Sequence, residues 1–311
     1  MGESPIFISG LDRSGKTYLR FMLSEHPNLI FSHRTNFWTQ YFNKFGRLDI
    51  ADNLEECLQT LTKAKHVCML GIDFDQLRSE FAQGDPSYAR LFTCIHTQYA
   101  RMNKKRRWGD QTEQLERMTP TILSAFPLAK FLHLIRDPRD RYHAILEKNN
   151  LADKSKRGYW RANSLGASTA RWLASAALAK KYQERYPLSY RIVRYEALVS
   201  RPTDTLRSIC AFLGEDFYPE MIEMRTEKRF SNQPTRATSM PSPLSTDYIG
   251  RFRKELTSFE ISFIQLRTQR YMQMFGYELE PVKKTKTGSA LDWLMHSASL
   301  IGWQMIELVE R

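Results

Sequence analysis

The order of apolar and polar stretches along the chain predicts strands and helices that alternate. Three short apolar runs have the character of buried strands: Pro5–Ser9, Lys130–Ile135 and Tyr190–Arg194. Each run is followed by a polar turn and then by apolar residues at helical spacing. Because strands that alternate with helices normally pair in parallel, the pattern predicts an α/β fold in which helices flank a parallel sheet, giving three layers.

Helical patterns fill much of the remaining chain. They cover Leu54–Ala64, Tyr88–Met102, Leu115–Ala125, Leu165–Tyr182, Thr203–Leu213 and Phe259–Tyr277. The segment Arg225–Tyr248 is rich in Ser, Pro, Thr and Arg and is predicted to be a long loop, a kind of segment that is commonly functional or disordered. We divide the chain into a main domain, residues 1–282, and a C-terminal segment, residues 283–311, which begins with the basic hinge KKTKTG.

The C-terminal segment continues as an apolar helix. Helical spacing aligns one apolar stripe, made by Leu291, Leu294, Ala298, Ile301, Met305 and Leu308. Trp293 and Trp303 lie beside it. Such a helix can lie on a membrane surface, pack on its own domain or join two subunits in a homodimer. The acidic residues Asp292, Glu307 and Glu310 favour packing on the chain's own domain or on a second subunit, because an interfacial helix usually carries a basic polar face.

Charge adds a constraint on the partners. The chain has 46 Lys and Arg against 34 Asp and Glu, a net charge of +12. Such an excess is typical either of an anionic partner, such as a nucleotide, a nucleic acid, an acidic glycan or a membrane surface, or of a solvated basic face. No recognised module or platform of interleaved aromatic residues predicts a nucleic-acid partner. The basic run RMNKKRRWGD could attract an acidic acceptor or a cofactor, or form a solvated helix end. Its bases are Arg101, Lys104, Lys105, Arg106 and Arg107.

The cysteines and the N-terminus indicate the compartment. The four cysteines are scattered, with no C-x-x-C pair, so neither a zinc site nor a disulfide framework is predicted. The opening residues MGESPIF lack the basic and apolar regions of a secretory signal. No run of about 18 apolar residues predicts a membrane span. The expected location is the cytoplasm.

The loop after the first predicted strand has a phosphate-binding pattern. Residues Gly10 to Thr17 fit G-x-x-x-x-G-K-S/T, in which backbone N–H groups at a helix N-terminus hold an anion. An ATP-dependent enzyme would also need a magnesium-binding Asp at the end of another strand. The run FLHLIRDPRD instead reaches Arg136 before Asp137, and an arginine suits a second phosphate better than a metal. No metal site is predicted.

Five blocks, in order over about residues 5–280, resemble sulfotransferases that use 3′-phosphoadenosine 5′-phosphosulfate (PAPS). They are PIFISGLDRSGKTYLRFMLSEHPN, WGDQTEQL, FLHLIRDPRDRYHAILEK, YRIVRYEALVSRPTDTLRSICAFLG and YIGRFRKELT with FGYEL. The resemblance is to bacterial enzymes of the type related to tyrosylprotein sulfotransferases. It implies the sulfotransferase form of the P-loop nucleoside-triphosphate-hydrolase architecture.

The resemblance also implies where PAPS, or its product PAP, would bind. The 5′-phosphosulfate would lie at the first loop, on Arg13, Ser14, Gly15, Lys16, Thr17 and Tyr18. Arg136 matches the arginine that binds the 3′-phosphate, and Tyr195 matches a residue near the adenine. Two alternatives remain open from the sequence: Arg136 could form a helix-capping salt bridge with Asp137 or Asp140, and Tyr195 could be a core tyrosine.

Three positions depart from the family pattern. Lys16 replaces a threonine, and it would place an ammonium where negative charge develops as the sulfuryl group leaves. Gln111 replaces a lysine, so Lys16 could supply the charge that Gln111 lacks. Ala144 replaces a serine that generally binds the 3′-phosphate, and Lys148, one helical turn later, could substitute for it.

The general base has three candidates. In related enzymes it is a Glu shortly after the first helix, where this chain has FSHRTNF, with His33 or Arg34 at that place. An imidazole can accept a hydroxyl proton near neutral pH, so His33 is the first candidate. Glu113 is the second, because it lies where cytosolic sulfotransferases have a catalytic His, and Asp110 is the third.

The sequence therefore predicts a PAPS-dependent sulfotransferase with His33, Lys16 and Glu113 as catalytic residues. The acceptor would be a hydroxyl or amine of a small molecule, a glycan or a lipid, which the sequence does not identify. An ATP-dependent kinase, based on the phosphate loop alone, and a non-catalytic nucleotide-binding module are the alternatives.

Overall fold

A single parallel sheet of five strands forms the centre of the protein. The computed structural model describes residues 4–151, 164–223, 245–281 and 290–309. The strands are β1 (Ile6–Ser9), β2 (Leu29–His33), β3 (Arg107–Gln111), β4 (Lys130–Ile135) and β5 (Tyr190–Arg194). They pair in the order β2-β3-β1-β4-β5. The three strands predicted from the pattern are β1, β4 and β5, and the predicted α/β class is confirmed.

Helices connect the strands and cover the sheet. The α-helices are α1 (Lys16–Ser24), α2 (Ala51–Lys63), α3 (Lys65–Cys68), α4 (Phe74–Phe81), α5 (Tyr88–Met102), α6 (Thr119–Ala125), α7 (Pro138–Leu151), α8 (Leu165–Arg185), α9 (Tyr195–Ser200), α10 (Pro202–Leu213), α11 (Glu220–Glu223), α12 (Phe252–Glu255), α13 (Ser258–Met274) and α14 (Ala290–Val309). Shorter helical turns occupy Phe37–Tyr41, Leu115–Met118 and Thr246–Tyr248.

One predicted segment differs from the structure, and two others lie mostly or wholly outside the described residues. The predicted helix Leu115–Ala125 is a 3₁₀ turn followed by α6, which has a proline in its first turn. Pro120 has no N–H to continue the preceding turn, so it starts a new helix. Most of the predicted long loop Arg225–Tyr248 lies outside the described residues, as does the hinge KKTKTG.

Both faces of the sheet are buried, which explains the nearly continuous apolar strands. Phe7 of β1 packs on one face, with its ring centroid 5.9 Å from that of Phe92 and 5.1 Å from that of Phe131. Its neighbours Ile6 and Ile8 belong to the core on the other face. In register, Gln111 pairs with both Ile8 and His33. The carboxyl ends of β1, β2 and β3 therefore meet at one edge of the sheet.

The basic run before β3 lies away from that edge. Arg107 begins β3 and donates hydrogen bonds to the carbonyl oxygens of Ser4 (2.6 Å) and Leu213 (2.7 Å). Lys105 donates to the carbonyl oxygens of Ser24 and His26. Because parallel strands start at one edge and end at the other, these cations contact the opposite edge from Gln111. Lys105 and Arg107 therefore have structural contacts at that edge, and attraction of an acidic acceptor or of the cofactor by this run stays a prediction.

The C-terminal helix α14 packs on its own chain through Trp293, His296 and Leu300. The ring of Phe263 lies 5.3 Å from that of Trp293 and 5.8 Å from that of His296. A Cβ atom on Gly166 of α8 would come within 2.3 Å of the His296 carbonyl oxygen, so the two helices approach closely only because this residue is glycine. Packing on the chain's own domain is one of the two arrangements that the acidic residues of the helix favour, and contact with a second subunit stays a prediction.

The face that packs is not the predicted stripe. Leu294, Ile301 and Met305 are 67%, 49% and 62% exposed. The aromatic residues beside the stripe supply the contact instead, because their larger rings fill the space over α8 and α13. The side chains of Leu291 and Leu308 lie outside the described residues. Among the described helices, none has the length and apolar character needed to traverse a bilayer.

Candidate active site

The phosphate loop connects β1 to α1 at the carboxyl edge of the sheet. Gly10 and Gly15 have φ angles of 112° and 94°, which favour glycine. A Cβ atom on Gly10 would lie 2.3 Å from the Leu134 carbonyl oxygen. Gly15 is the N-cap of α1 and supplies no side-chain cap to the first N–H groups of the helix. These N–H groups and the positive end of the helix dipole are suited to hold an anion.

Lys16 is folded back over this loop. It is only 4% exposed, and its Nζ donates to the carbonyl oxygens of Gly10 (2.5 Å) and Leu11 (2.6 Å). Burial lowers the pKa of Lys16 to about 8, although Glu113 and other nearby carboxylates oppose the shift. The ammonium is therefore charged at neutral pH and partly stripped of water, which strengthens its interaction with an anion.

Arg136 links the end of β4 to the same loop. Its Nη1 donates to the Arg13 carbonyl oxygen (3.1 Å), and its Nη2 donates to the Tyr248 carbonyl oxygen (2.9 Å). The guanidinium carbon lies 4.4 Å from the ring centroid of Tyr195. Within the described part of the chain, the buried Nε of Arg136 has no hydrogen-bond partner. Arg136 therefore has a donor atom left for a ligand.

The capping salt bridge considered for Arg136 is not what the side chains form. Asp137 is paired with Arg139, with 2.6 Å between Oδ2 and Nη2. Asp140 accepts two backbone N–H groups from the segment that begins at Gly250. Both carboxylates are engaged elsewhere, so Arg136 is directed to the phosphate loop.

Tyr195 is buried directly against the loop. A Cβ atom on Gly15 would lie 2.5 Å from Cδ2 of Tyr195. Burial raises the pKa of Tyr195, and burial together with Tyr195 and Tyr248 raises the pKa of Tyr18 to about 12. These phenols are neutral at physiological pH. Together with Arg136 they form an aromatic and cationic surface beside the loop, where a flat base could stack.

His33 ends β2 in a cationic environment. Burial lowers its pKa to about 3, and the neighbouring charges of Arg20 and Arg34 add to the shift. Its ring centroid lies 5.4 Å from that of His66, with the two planes at 75°. The imidazole is therefore neutral at pH 7 and has a lone pair available.

The other two base candidates have different surroundings. Glu113 forms an ion pair with Arg34, and its side chain is 29% exposed. Asp110 is buried and accepts hydrogen bonds from the hydroxyls of Ser32 (2.7 Å) and Thr112 (2.8 Å). Both Asp110 oxygens are thus occupied by protein donors, which makes Asp110 an unsuitable base.

The structure adds two charged residues that the sequence analysis missed. Arg20 is buried on α1, four residues after Lys16, and its Nε donates to Oε1 of Gln111 (3.1 Å). Burial lowers the pKa of Arg20 to about 10. The spacing of four places it on the same helix face as Lys16, which was a readable signal. Glu116 is buried beneath Gly10, and no motif in the sequence points to it.

The predicted 3′-phosphate residues on α7 remain untested. Ala144 lies on this helix and is half-buried. Lys148 lies on the same helix, but its side chain is outside the described residues. Its role as a substitute for the missing serine stays a prediction.

Comparison with known families identifies the chain. The model of the sulfotransferase family matches residues 5–220. The chain belongs to the sulfotransferase family. The matched region of this sulfotransferase contains the phosphate loop and the five described strands, and with them Lys16, His33, Arg136 and Tyr195.

Solved structures share the fold of this sulfotransferase. The sulfotransferase domain from the Synechococcus PCC 7002 olefin synthase is 20% identical, with a TM-score of 0.61, over 89% of this chain and 97% of that domain. The sulfotransferase domain from the curacin biosynthetic pathway is 19% identical, with a TM-score of 0.60, over 89% of this chain and 99% of that domain. No curated protein sequence matches the chain.

Proposed function

We propose that the protein transfers a sulfuryl group from PAPS to a hydroxyl or amine. The observation that carries this proposal is the hydrogen bond from Arg136 to the Arg13 carbonyl, which joins two cationic sites on separate strands. PAPS has two anionic ends, a 5′-phosphosulfate and a 3′-phosphate. The loop that contains Lys16 suits the first, and Arg136 suits the second.

The residues present fit this donor. The α1 N-terminus has no side-chain cap, and the Nε of Arg136 is buried without a partner in the described residues. Both features suit phosphate oxygens as acceptors. The absence of a side chain on Gly15 allows Tyr195 to lie against the loop, near the place where the adenine would stack.

The catalytic roles follow from charge. PAPS supplies the activated sulfuryl group. Lys16 and Arg13 would neutralise the negative charge on the departing phosphate, where fixed cations in a dry site are most effective. As the acceptor oxygen or nitrogen bonds to sulfur and the bond from sulfur to the bridging oxygen breaks, His33 would take the acceptor proton.

The choice of His33 rests on its ionisation state. It is neutral at pH 7, whereas Glu113 is held by Arg34 in the free protein. Burial is the main cause of the low pKa of His33, with Arg20 and Lys16 among the cations that add to it. A bound polyanion would offset those charges and make His33 a stronger base.

Ligand binding tests the donor. PAP should raise the melting temperature of the protein clearly more than AMP, ADP or ATP with Mg²⁺, because only PAP carries both phosphate groups. A hundredfold excess over Kd should stabilise the fold by about 2.7 kcal/mol. Differential scanning fluorimetry across these nucleotides gives the comparison. Stabilisation by ATP with Mg²⁺ but not by PAP would replace the proposal with the kinase alternative.

Substitution of the two base candidates tests the proton acceptor. His33→Ala should lower kcat about 10²- to 10⁴-fold, the usual contribution of a general base, and leave the Kd for PAP nearly unchanged. Glu113→Gln is the matched variant and should have the smaller effect on kcat. Steady-state kinetics with an identified acceptor measures kcat, and calorimetric titration of PAP measures Kd. A larger loss of kcat in Glu113→Gln would assign the base to Glu113.

A further inference from the structure

A carboxylate is buried directly beneath the phosphate loop. Glu116 is 1% exposed, and its Oε2 accepts a hydrogen bond from the backbone N–H of Gly10 (3.1 Å). Its Oε1 accepts a hydrogen bond from the Ser175 hydroxyl (2.6 Å). A fully buried carboxylate is costly unless its surroundings compensate for the loss of water. Because this carboxylate is bonded to Gly10, the first residue of the loop, we expect it to have a specific role there.

A chain of buried donors ends at this carboxylate. Ser175 Oγ lies 3.1 Å from Nε2 of His133, and His133 Nδ1 lies 2.6 Å from the Tyr190 hydroxyl. Because the single Ser175 proton goes to Glu116, His133 donates from Nε2 to Ser175. Burial lowers the pKa of His133, and a neutral imidazole that donates from Nε2 accepts from Tyr190 at Nδ1.

Gly10 connects this carboxylate to Lys16. Its N–H donates to Glu116, and its carbonyl oxygen accepts from Nζ of Lys16. The two opposite charges therefore hold the same residue of the loop from its two backbone groups. A change at Glu116 would affect both the backbone at the strand exit and the position of the ammonium.

Glu116 differs from the other carboxylates near Lys16. The charged groups that face Lys16 are Glu113, Asp12, Glu116 and Arg34. Asp12 is paired with Arg141, and Glu113 with Arg34, so each has a cation of its own. Within the described residues, the hydrogen-bond donors to Glu116 are the neutral groups of Gly10 and Ser175. Its negative charge therefore remains available to Lys16.

We propose that Glu116 is a positioning residue that fixes the Gly10 backbone, whose carbonyl oxygen accepts from Lys16, and that it contributes a buried negative charge that stabilises the Lys16 ammonium. The charges support this role. Burial opposes ionisation of Glu116, but the Ser175 hydrogen bond and the charge of Lys16 are among the contributions that lower its pKa. The importance of a charged Lys16 for turnover rests on the proposed function, whereas the coupling between the two side chains does not.

The direct test is the titration of Lys16 in the free protein. NMR of lysine labelled with ¹³C at Cε follows the ammonium, and Lys16→Arg assigns its resonance. Glu116→Gln keeps the size of the side chain but removes the charge, so the pKa of Lys16 should fall by about one unit. Glu116→Asp should restore most of the wild-type value. Glu215→Gln is the control for net charge, since Glu215 pairs with Arg107 at the other edge of the sheet.

Activity gives the second readout. In Glu116→Gln the alkaline limb of the pH profile of kcat/KM should move to lower pH by as much as the pKa of Lys16 falls. Glu116→Asp and Glu215→Gln should keep the alkaline limb of the wild type. Ser175→Ala covers the case in which Glu116→Gln does not fold, and it should shift the Lys16 titration in the same direction by less. An unchanged Lys16 titration in the folded variants would overturn the inference. The titration needs neither donor nor acceptor, so a failure to detect sulfuryl transfer would count against the proposed function alone.

Discussion

Replacement of Lys16 by alanine is expected to lower kcat about 10²- to 10³-fold, the size of effect seen when one donor that stabilises transition-state charge is removed. The Kd for PAP should rise far less. The negative charge that Lys16 would neutralise develops mainly as the sulfuryl group leaves, so the interaction is stronger in the transition state than in the ground state. Single-turnover kinetics and calorimetric titration of PAP measure the two quantities separately.

The lowered pKa of Lys16 also predicts how the activity depends on pH. Because burial lowers the pKa of Lys16 to about 8, the free enzyme loses this positive charge as the pH rises through 8. The value of kcat/KM should therefore fall on the alkaline side, and this limb should disappear in Lys16→Arg, which stays charged. Equal losses of kcat and of PAP affinity in Lys16→Ala would mean that Lys16 only binds the donor.

Replacement of Arg136 by alanine should have the opposite effect to Lys16→Ala: it should weaken PAP binding and leave kcat nearly unchanged. The Kd for PAP should rise roughly tenfold to a hundredfold, corresponding to about 1.5–3 kcal/mol for hydrogen bonds to a charged group. The effect on kcat at saturating donor should be small, because the 3′-phosphate carries the same charge before and after transfer. Separate titrations with PAP and with AMP complete the measurement. Because AMP lacks the 3′-phosphate, the substitution should lower the affinity for AMP only slightly.

A matched arginine provides the control for this prediction. Arg185 ends α8, just before β5 begins, and it is exposed at the opposite edge of the sheet. Arg185→Ala removes the same charge from the protein and should leave PAP binding unchanged. If Arg136→Ala bound PAP and AMP with the same relative affinities as the wild type, the 3′-phosphate would have to be assigned to another residue.

The fold class and the phosphate loop were readable from local patterns. A buried parallel strand is a short apolar run, and β1, β4 and β5 have this character in the sequence. β3 was harder to recognise, because Arg107, Asp110 and Gln111 interrupt its apolar residues. Asp110 and Gln111 are nevertheless buried, since hydrogen bonds from other parts of the chain satisfy them. Such compensation comes from distant residues, and a local pattern cannot reveal it.

The exposed stripe of α14 shows a similar limit. Helical spacing identifies which residues share a face, but it does not determine which of two neighbouring apolar faces meets the protein. Gly166, more than a hundred residues away, allows the close approach that selects the face of His296 and Leu300. The stripe at Leu294 and Ile301 is therefore exposed in the single chain, and its packing on a second subunit stays a prediction.

The sequence by itself determined the alternation of β1, β4 and β5 with helices, the loop with the phosphate-binding pattern and the arginine at the end of β4, because each depends on residues close together in the chain. Only the tertiary structure decided the electrostatics of the site. The low pKa of His33 and the position of Glu116 beneath Gly10 arise where different strands and helices meet. Burial and neighbouring charges act through space, so they become readable only once the chain is folded.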